Sequence, residues 1–164
     1  MNIISSDQKK KIRDVLIIKM RYIGDTVLTT PLVDAINAEM PHARIHMLVN
    51  KGTEAVIFDH PGIFSIIPFD NQRNKKPFRY WLRFVKRLTS TKFQMVMDLT
   101  RNDRSAVFTV LTRAKYRFGY EGAGFPRNLA YTHMAPYHFG HEHTVRHHLH
   151  MADLLGLKDA PSHP

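Results

Sequence analysis

Short apolar runs alternate with helix-like segments along the chain, and this alternation is the feature that most constrains the fold. The first run, Val15–Lys19, is β-branched and apolar, as in a strand buried on both faces. Strands that alternate with helices indicate βαβ units and a mostly parallel sheet, so the predicted fold class is α/β. The predicted strands are Val15–Lys19, Ala43–Asn50, Ile63–Phe69, Phe93–Leu99, residues 115–120 and residues 128–133.

The first helix pattern continues from Val27 to about Met40 and contains Pro31. Because an interior proline breaks or kinks a helix, either the main helix begins there with Thr30 as its cap or its first turn is kinked. Further helices are predicted over residues 53–59 and 78–88, over 102–114 with an Asn or Asp cap, and over 143–155 with Gly156 as the C-cap.

The charge balance bears on the partners of the chain. Its 164 residues suffice for one domain, and 24 Lys and Arg against 14 Asp and Glu give a net charge of +10. This balance favours nucleic acid, anionic lipid or a phosphorylated substrate, or it serves solubility alone. The lack of cysteine excludes disulfides and thiolate metal sites. No apolar run approaches the roughly 18–20 residues of a membrane span, and no signal segment is evident, so a cytoplasmic location is expected.

Charged residues cluster directly after the first predicted strand, at Lys19, Arg21 and Asp25 around Gly24. Ligands of open parallel sheets bind beyond the carboxyl ends of the strands, which is where these residues fall. Neither glycine-rich phosphate-loop pattern is present, and a carboxylate stands at the start of the following helix instead. Asp25 could accept a proton from a sugar hydroxyl, or it could simply cap that helix, and the residues alone leave both interpretations open.

Basic side chains concentrate in the helix over residues 78–88. Phe78, Trp81, Leu82, Val85 and Leu88 share one predicted face, and Arg79, Arg83, Lys86 and Arg87 share the opposite one. This pattern fits a surface helix with a solvated basic face, and the same face could also meet anions.

Histidines cluster near the end of the chain. His143 and His147 have the spacing of a zinc pair on a helix, but no carboxylate or thiolate completes a tight set. Partly exposed histidines on the last helix are therefore predicted, one of which could touch substrate. The cluster comprises His138, His141, His143, His147, His148 and His150.

Several segments together resemble the family 9 glycosyltransferases, the ADP-heptose:lipopolysaccharide heptosyltransferases. Their signature, a strand followed by K-x-R-x-x-G-D-x-(V/L)-x-x-x-P, is matched by Lys19, Arg21, Gly24, Asp25 and Pro31. The segments MDLTRNDRSA, RFGY and HTVRHHLHMADLLGL also resemble this family, most closely its branch that extends the inner core. The resemblance covers about residues 13–157.

The resemblance implies a Rossmann-like, mostly parallel sheet with helices on both faces, as in the N-terminal half of a GT-B fold. Residues 13–157 would then be the acceptor-binding domain and residues 158–164 the start of an interdomain linker, with the C-terminal donor-binding domain absent. The implied reaction is inverting, metal-independent transfer of heptose from ADP-heptose to the lipopolysaccharide inner core, with Asp25 as the catalytic base. This half alone is expected not to catalyse transfer.

The resemblance also implies partners and a location. The implied partners are a phosphorylated lipid A–core acceptor and the anionic surface of the inner membrane. The protein would be cytoplasmic and peripheral at the inner face of that membrane. No cofactor, metal or nucleic acid is expected. Arg101 and Arg104, just after the fourth strand, could contact the acceptor or be helix-surface charges. The acceptor-binding residues implied are Lys19, Arg21, Gly24, Arg73, Lys75, Lys76, Arg101 and Arg104.

Two other functions are compatible with the residues. A non-catalytic half-protein, such as a truncated reading frame or a partner-binding remnant, would keep the fold and lose the reaction. A basic nucleic-acid-binding module would explain the net charge of +10, although no helix-turn-helix, RRM or zinc-finger pattern is found.

Overall fold

A parallel sheet organises the computed structural model, which describes residues 4–71, 77–122, 124–137 and 144–157. The strands are β1 (Asp14–Lys19), β2 (Arg44–Asn50), β3 (Ser65–Phe69), β4 (Met95–Asp98), β5 (Tyr116–Tyr120) and β6 (His133–Ala135). All neighbouring strands pair in parallel, in the order β3-β2-β1-β4-β5-β6. This is a doubly wound order whose switch point lies between β1 and β4, so the predicted Rossmann-like fold is confirmed.

Helices cover both faces of the sheet, as predicted. They are α1 (Ser6–Lys9), α2 (Ile23–Val27), α3 (Thr30–Glu39), α4 (Phe78–Ser90), α5 (Asp103–Leu111) and α6 (Thr144–Leu154), with 3₁₀ turns at Glu54–Val56 and Arg127–Ala130. Val15 and Ile17 of β1 belong to one apolar core with α3 and α6, and Leu16 and Ile18 belong to a second core with α4 and α5. The central strand is therefore buried along its whole length.

Pro31 marks the start of a helix and does not kink a longer one. The segment from Val27 to Met40 is split, because α2 ends at Val27 and α3 begins at Thr30 with Pro31 in its first turn. Proline is tolerated there because the first N–H groups of a helix have no intrahelical partner. The prediction that Thr30 is the cap is wrong, since Thr29 occupies that position.

Two other helix ends are confirmed. Asn102 caps α5, with its side-chain oxygen 2.8 Å from the Ser105 N–H that donates to it. Gly156 has a φ of +63° and follows α6, where its N–H donates to the Asp153 carbonyl at 2.9 Å. A glycine in the left-handed region is a common way to end a helix because it carries no Cβ.

Two predicted elements differ from the structure. The strand expected over residues 128–133 is wrong, because residues 128–130 lie in a 3₁₀ turn and β6 begins only at His133. Pairing with β5, in which Phe118 lies opposite His133, decides where this strand begins. The short helix expected over residues 53–59 is reduced to one turn at Glu54–Val56.

The buried face of α4 was also predicted incorrectly in part. Phe84 and Leu88 are buried, whereas Phe78 and Leu82 are 75% and 54% exposed. Phe84 faces the sheet because its ring packs 4.9 Å from that of Phe69 on β3. The basic face is confirmed as exposed, so α4 presents cations and two apolar side chains together. In the described part of the chain, no helix has the length and apolar character needed to cross a membrane.

A polar network closes the edge of the sheet at which the strands begin. Arg44 donates to both carboxylate oxygens of buried Asp14 at 2.9 Å, and His46 Nε2 lies 3.1 Å from Asp14 Oδ1. Burial alone raises the pKa of Asp14, but the hydrogen bonds and charges of Arg44 and His46 outweigh it and hold that pKa below its usual value. We assign this network to the stability of the fold, because it lies where the strands begin and not at the carboxyl ends where ligands of such sheets bind.

Asp14→Asn is expected to lower the free energy of unfolding at pH 7 by about 1–3 kcal/mol, because it removes the charged acceptor of a buried network. A depressed folded-state pKa means that this contribution is present above the unfolded value of 3.8 and is lost as the pH falls through the folded value. The difference between wild type and variant in urea unfolding should therefore shrink below about pH 4. A pH-independent difference would contradict this. Asp34→Asn, at an exposed carboxylate that lies 3.5 Å from His60 Nε2, is the control and should cost less than about 0.5 kcal/mol.

Candidate functional site

A cavity of about 280 Å³ opens where β1, β4 and β5 end, at the switch point of the sheet. Open parallel sheets bind ligands at this place because the strand order reverses there and leaves a crevice. The loops after these strands and the first turns of α6 form its wall. The lining residues are Lys19, Arg21, Asp25, Leu99, Thr100, Arg101, Tyr120, Tyr137, Thr144, His147 and His148.

Lys19 is the last residue of β1, and its ammonium group is buried beneath the cavity. The Nζ atom lies 3.7 Å from Asp25 Oδ1, 3.4 Å from the Leu99 carbonyl oxygen and 3.1 Å from His148 Nε2. Burial lowers the pKa of Lys19 from 10.5 to about 8, an effect that the charge of Asp25 opposes and that of Arg21 strengthens. The charged form of Lys19 is therefore unfavourable in the folded protein, because burial removes the ammonium group from water.

Asp25 lies in the first turn of α2 and its side chain is 28% exposed. The N-cap position belongs to Tyr22, so the interpretation of Asp25 as the helix cap is wrong. Its carboxylate is paired with Lys19 on one side and reaches the cavity on the other. A positioned, accessible carboxylate of this kind can take a proton from a bound hydroxyl group.

Two arginines supply the positive charge of the rim. Arg21 donates from Nε and Nη2 to the Thr100 carbonyl oxygen at 3.3 Å and 3.1 Å. Arg101 has a φ of +61°, its guanidinium lies 3.5 Å from the centre of the Tyr137 ring, and its buried Nε has no hydrogen-bond partner within the described residues. A left-handed backbone costs energy in an arginine, and such strain is concentrated at functional sites.

A buried carboxylate supports the loop that carries Thr100 and Arg101. Asp98, at the end of β4, accepts hydrogen bonds from the Thr100 N–H at 2.8 Å and from the Tyr131 hydroxyl at 2.7 Å. Burial raises the pKa of Asp98, and these hydrogen bonds oppose that increase. The Tyr131 ring can approach only because residue 119 is glycine, where a Cβ would lie 2.6 Å from the ring.

The prediction of partly exposed histidines on the last helix is wrong for two of them. His147 and His148 are 5% and 2% exposed, because α6 packs this side against the ends of β1 and β5. His150 is half-buried and lies 3.5 Å from Asp153. His138, His141 and His143 lie outside the described residues, and within residues 4–71, 77–122, 124–137 and 144–157 no three potential ligands come together as a metal site.

The structure brings only some of the predicted site residues together. Lys19, Arg21, Asp25 and Arg101 share the cavity. Arg104 instead lies over the Phe69 ring at 5.3 Å and contacts Asn71. Gly24 lies in α2, and a Cβ there would meet open space. Arg73, Lys75 and Lys76 lie outside the described residues.

Sequence reasoning missed His148, Tyr120 and Tyr137 as members of the site. His148 is 129 positions from the lysine that it contacts, and only the docking of α6 brings the two together. The one sequence signal was its membership of the histidine cluster, which does not distinguish a buried histidine from an exposed one.

A doubly wound parallel sheet with a charged cavity at its switch point defines a Rossmann-like ligand-binding domain. In sequence, the chain is 27% identical over 146 residues to lipopolysaccharide heptosyltransferase 3 of Escherichia coli K12, with 85% of this chain and 42% of that protein covered. No family model matches the chain.

Solved structures show the same fold. A family 9 glycosyl transferase from Veillonella parvula superposes with a TM-score of 0.78 and 18% identity, covering 96% of this chain and 45% of that one. Escherichia coli heptosyltransferase WaaC, solved with ADP-2-deoxy-2-fluoro heptose, superposes with a TM-score of 0.76 and 20% identity, covering 92% and 50%.

These matches confirm the resemblance to the family 9 heptosyltransferases that the motifs indicate. The fold is that of the N-terminal half of a GT-B enzyme. The chain spans 42% of the length of the curated heptosyltransferase that it matches.

Lys19→Met is expected to remove a pH dependence of stability. The folded-state pKa of about 8 lies below the unfolded value of 10.5. Between these values the unfolded chain still binds the proton that the folded chain has released, so the stability of the wild type rises as the pH rises. Relative to Lys19→Met, the gain should be about 3 kcal/mol, at about 1.4 kcal/mol per pH unit, in urea unfolding. Exposed Lys92→Met is the matched control, and its difference from wild type should stay flat. An equally flat difference for Lys19→Met would show that the ammonium is not buried.

Proposed function

We propose that this domain is the acceptor-binding half of a heptosyltransferase-like glycosyltransferase, which transfers heptose from ADP-heptose to the lipopolysaccharide inner core. The observation that carries the proposal is Asp25, an accessible carboxylate that faces the cavity while Lys19 pairs with it from below. The sequence similarity to a heptosyltransferase 3 supports the choice of sugar. Solved structures of Escherichia coli WaaC with ADP and with a fluorinated ADP-heptose support the donor class.

The proposed reaction is a single displacement. Asp25 takes the proton of an acceptor hydroxyl, and the oxygen attacks the anomeric carbon of the heptose as the bond to the diphosphate breaks. The electron pair of that bond leaves with ADP, and the configuration at the anomeric carbon inverts. A second domain would hold the donor, so residues 13–157 supply the base and the acceptor site, and residues 158–164 lead into the linker.

The acceptor in this proposal is a phosphorylated lipid A–core. Arg21 and Arg101 lie on the rim beside Asp25 and could pair with its phosphate groups. Arg101 is suited to this because its guanidinium is held on the Tyr137 ring at the cavity. Gly24 leaves open space beside the base for the sugar.

The proposal also places the protein at the inner face of the inner membrane. The exposed face of α4 combines Arg79, Arg83 and Lys86 with Phe78 and Leu82. Each cation near an anionic surface contributes about 1 kcal/mol, and exposed apolar side chains add to binding. Separately from this membrane surface, Arg73, Lys75, Lys76 and Arg104 are proposed as further acceptor-binding residues.

Asp25→Ala should greatly reduce transfer, and the protein should still fold, with lower stability because Lys19 loses its charge partner. Loss of a general base commonly costs about 10²–10⁴-fold in rate. The measurement is transfer from ADP-heptose to core-truncated lipopolysaccharide by this chain fused to the C-terminal half of Escherichia coli WaaC. Asp34→Ala, at an exposed carboxylate on α3, is the matched control and should transfer like the wild type. Near-normal turnover by Asp25→Ala would exclude Asp25 as the base.

Arg101→Gly should weaken binding of core-truncated lipopolysaccharide by about tenfold or more, since a charge-assisted hydrogen bond is lost. Arg113→Gly is the matched control, because Arg113 also has a left-handed backbone, with a φ of +56°, but lies at the far end of α5. Both substitutions relieve backbone strain, and only the first removes a cation from the cavity. Equal affinities of the two variants in calorimetric titration would place the acceptor elsewhere.

The same assays separate a second candidate function. The second candidate is a half-protein that binds the acceptor without taking part in transfer. Such a protein would bind core-truncated lipopolysaccharide but stay inactive in the fused enzyme. Retained nucleic acid with a steep salt dependence would instead favour a nucleic-acid-binding module.

A further inference from the structure

His148 connects α6 to the end of β1 and to the end of α2. Its Nδ1 lies 2.8 Å from the Leu28 carbonyl oxygen and its Nε2 lies 3.1 Å from Lys19 Nζ. A carbonyl oxygen only accepts hydrogen bonds, so Nδ1 carries the hydrogen. In a neutral imidazole the other nitrogen then has a lone pair, and this accepts a hydrogen from the lysine ammonium.

In this contact Lys19 carries the positive charge and His148 is neutral. Burial lowers the pKa of His148 to about 3, and the nearby charge of Lys19 adds to this decrease. The imidazole is therefore neutral at physiological pH. Lys19 also interacts with the charges of Arg21, Asp25 and Asp98, and His148 also interacts with its neighbour His147.

Packing alone does not account for a histidine at this position. Met151, Ala152 and Leu155 already anchor α6 in the apolar core of the sheet. Burying a polar ring is unfavourable unless its nitrogens are hydrogen-bonded, so an apolar side chain would hold the helix at lower cost. What the imidazole adds is an acceptor aimed at one N–H of the Lys19 ammonium.

The geometry points to His148 as a positioning residue: it holds the Lys19 ammonium against Asp25, so that the docking of α6 sets the orientation of the proposed base. His148 contacts Lys19 and not the carboxylate, and it acts through the lysine. The catalytic meaning of this inference rests on the proposed function, whereas the contact itself does not.

The first test uses the wild-type chain and needs no turnover. Long-range ¹H–¹⁵N NMR of the histidine rings should show His148 with a protonated Nδ1 and an unprotonated Nε2 at every pH between 5.5 and 8. An Nε2–H tautomer, or an imidazolium in this range, would overturn the proposal, because neither can accept a hydrogen from Lys19. Assignment of the signal comes from its loss in His148→Gln.

The second test measures the titration of Lys19 through its side-chain ¹³Cε and ¹⁵Nζ signals, assigned with Lys19→Met. His148→Leu removes the acceptor and should lower the midpoint by about one pH unit, a tenfold loss of proton affinity. His148→Gln keeps a hydrogen-bond acceptor and a donor, so its Lys19 midpoint should lie close to the wild-type value. His150→Leu, on the same helix but paired with Asp153, is the matched control and should leave it unchanged. An unchanged midpoint in His148→Leu would overturn the proposal.

Transfer by the fused enzyme separates this inference from the proposed function. His148→Leu should lower kcat more than it raises KM and should shift the pH profile, and His148→Gln should recover both. If no fused enzyme transfers heptose but the Lys19 midpoint still depends on His148, the positioning contact stands and the proposed function fails. If His148→Leu transfers with the wild-type rate and pH profile, the proposed function stands and the positioning role fails.

Discussion

The arrangement of this domain depends on how one buried ammonium group is satisfied. β1 is buried on both faces and ends in Lys19, and a charge at the end of such a strand must be paired because its desolvation is costly. Asp25 supplies the charge, the Leu99 carbonyl oxygen lies within reach, and His148 supplies a neutral acceptor. These partners come from α2, the loop after β4 and α6, so one group unites three separate parts of the chain.

The two edges of the sheet use charged groups in different ways. Where the strands begin, Asp14, Arg44 and His46 satisfy one another, and the result is stability. Where the strands end, the features are unfavourable: a lysine with a lowered pKa, an arginine with a left-handed backbone, and a buried aspartate with a raised pKa. Perturbed groups and strain that gather in one cleft are typical of a functional site.

Much of the fold was predictable because hydrophobic period and helix caps are local signals. The five strands up to residue 120 and the caps at Asn102 and Gly156 follow from neighbouring residues. The predictions were wrong where contact with a residue far away in the chain decides the bounds of an element or the face that it buries. Pairing with β5 places the start of β6, and contact with Phe69 selects the buried face of α4. His147 and His148 are buried because α6 packs against the ends of β1 and β5. The end of β1 lies more than a hundred residues earlier in the chain.

The sequence by itself determined the parallel α/β class and the position of Lys19, Arg21 and Asp25 at the carboxyl end of the first strand, because strand direction and chain order follow from local patterns. It also carried the resemblance to the family 9 heptosyltransferases. Only the tertiary structure decided which charges meet: it joined Arg101 to this cluster, directed Arg104 toward Phe69, and placed a neutral imidazole against Lys19. The reason is that hydrogen bonds and ion pairs depend on distances of a few ångströms between residues far apart in the chain, and only the packing of helices on the sheet sets those distances.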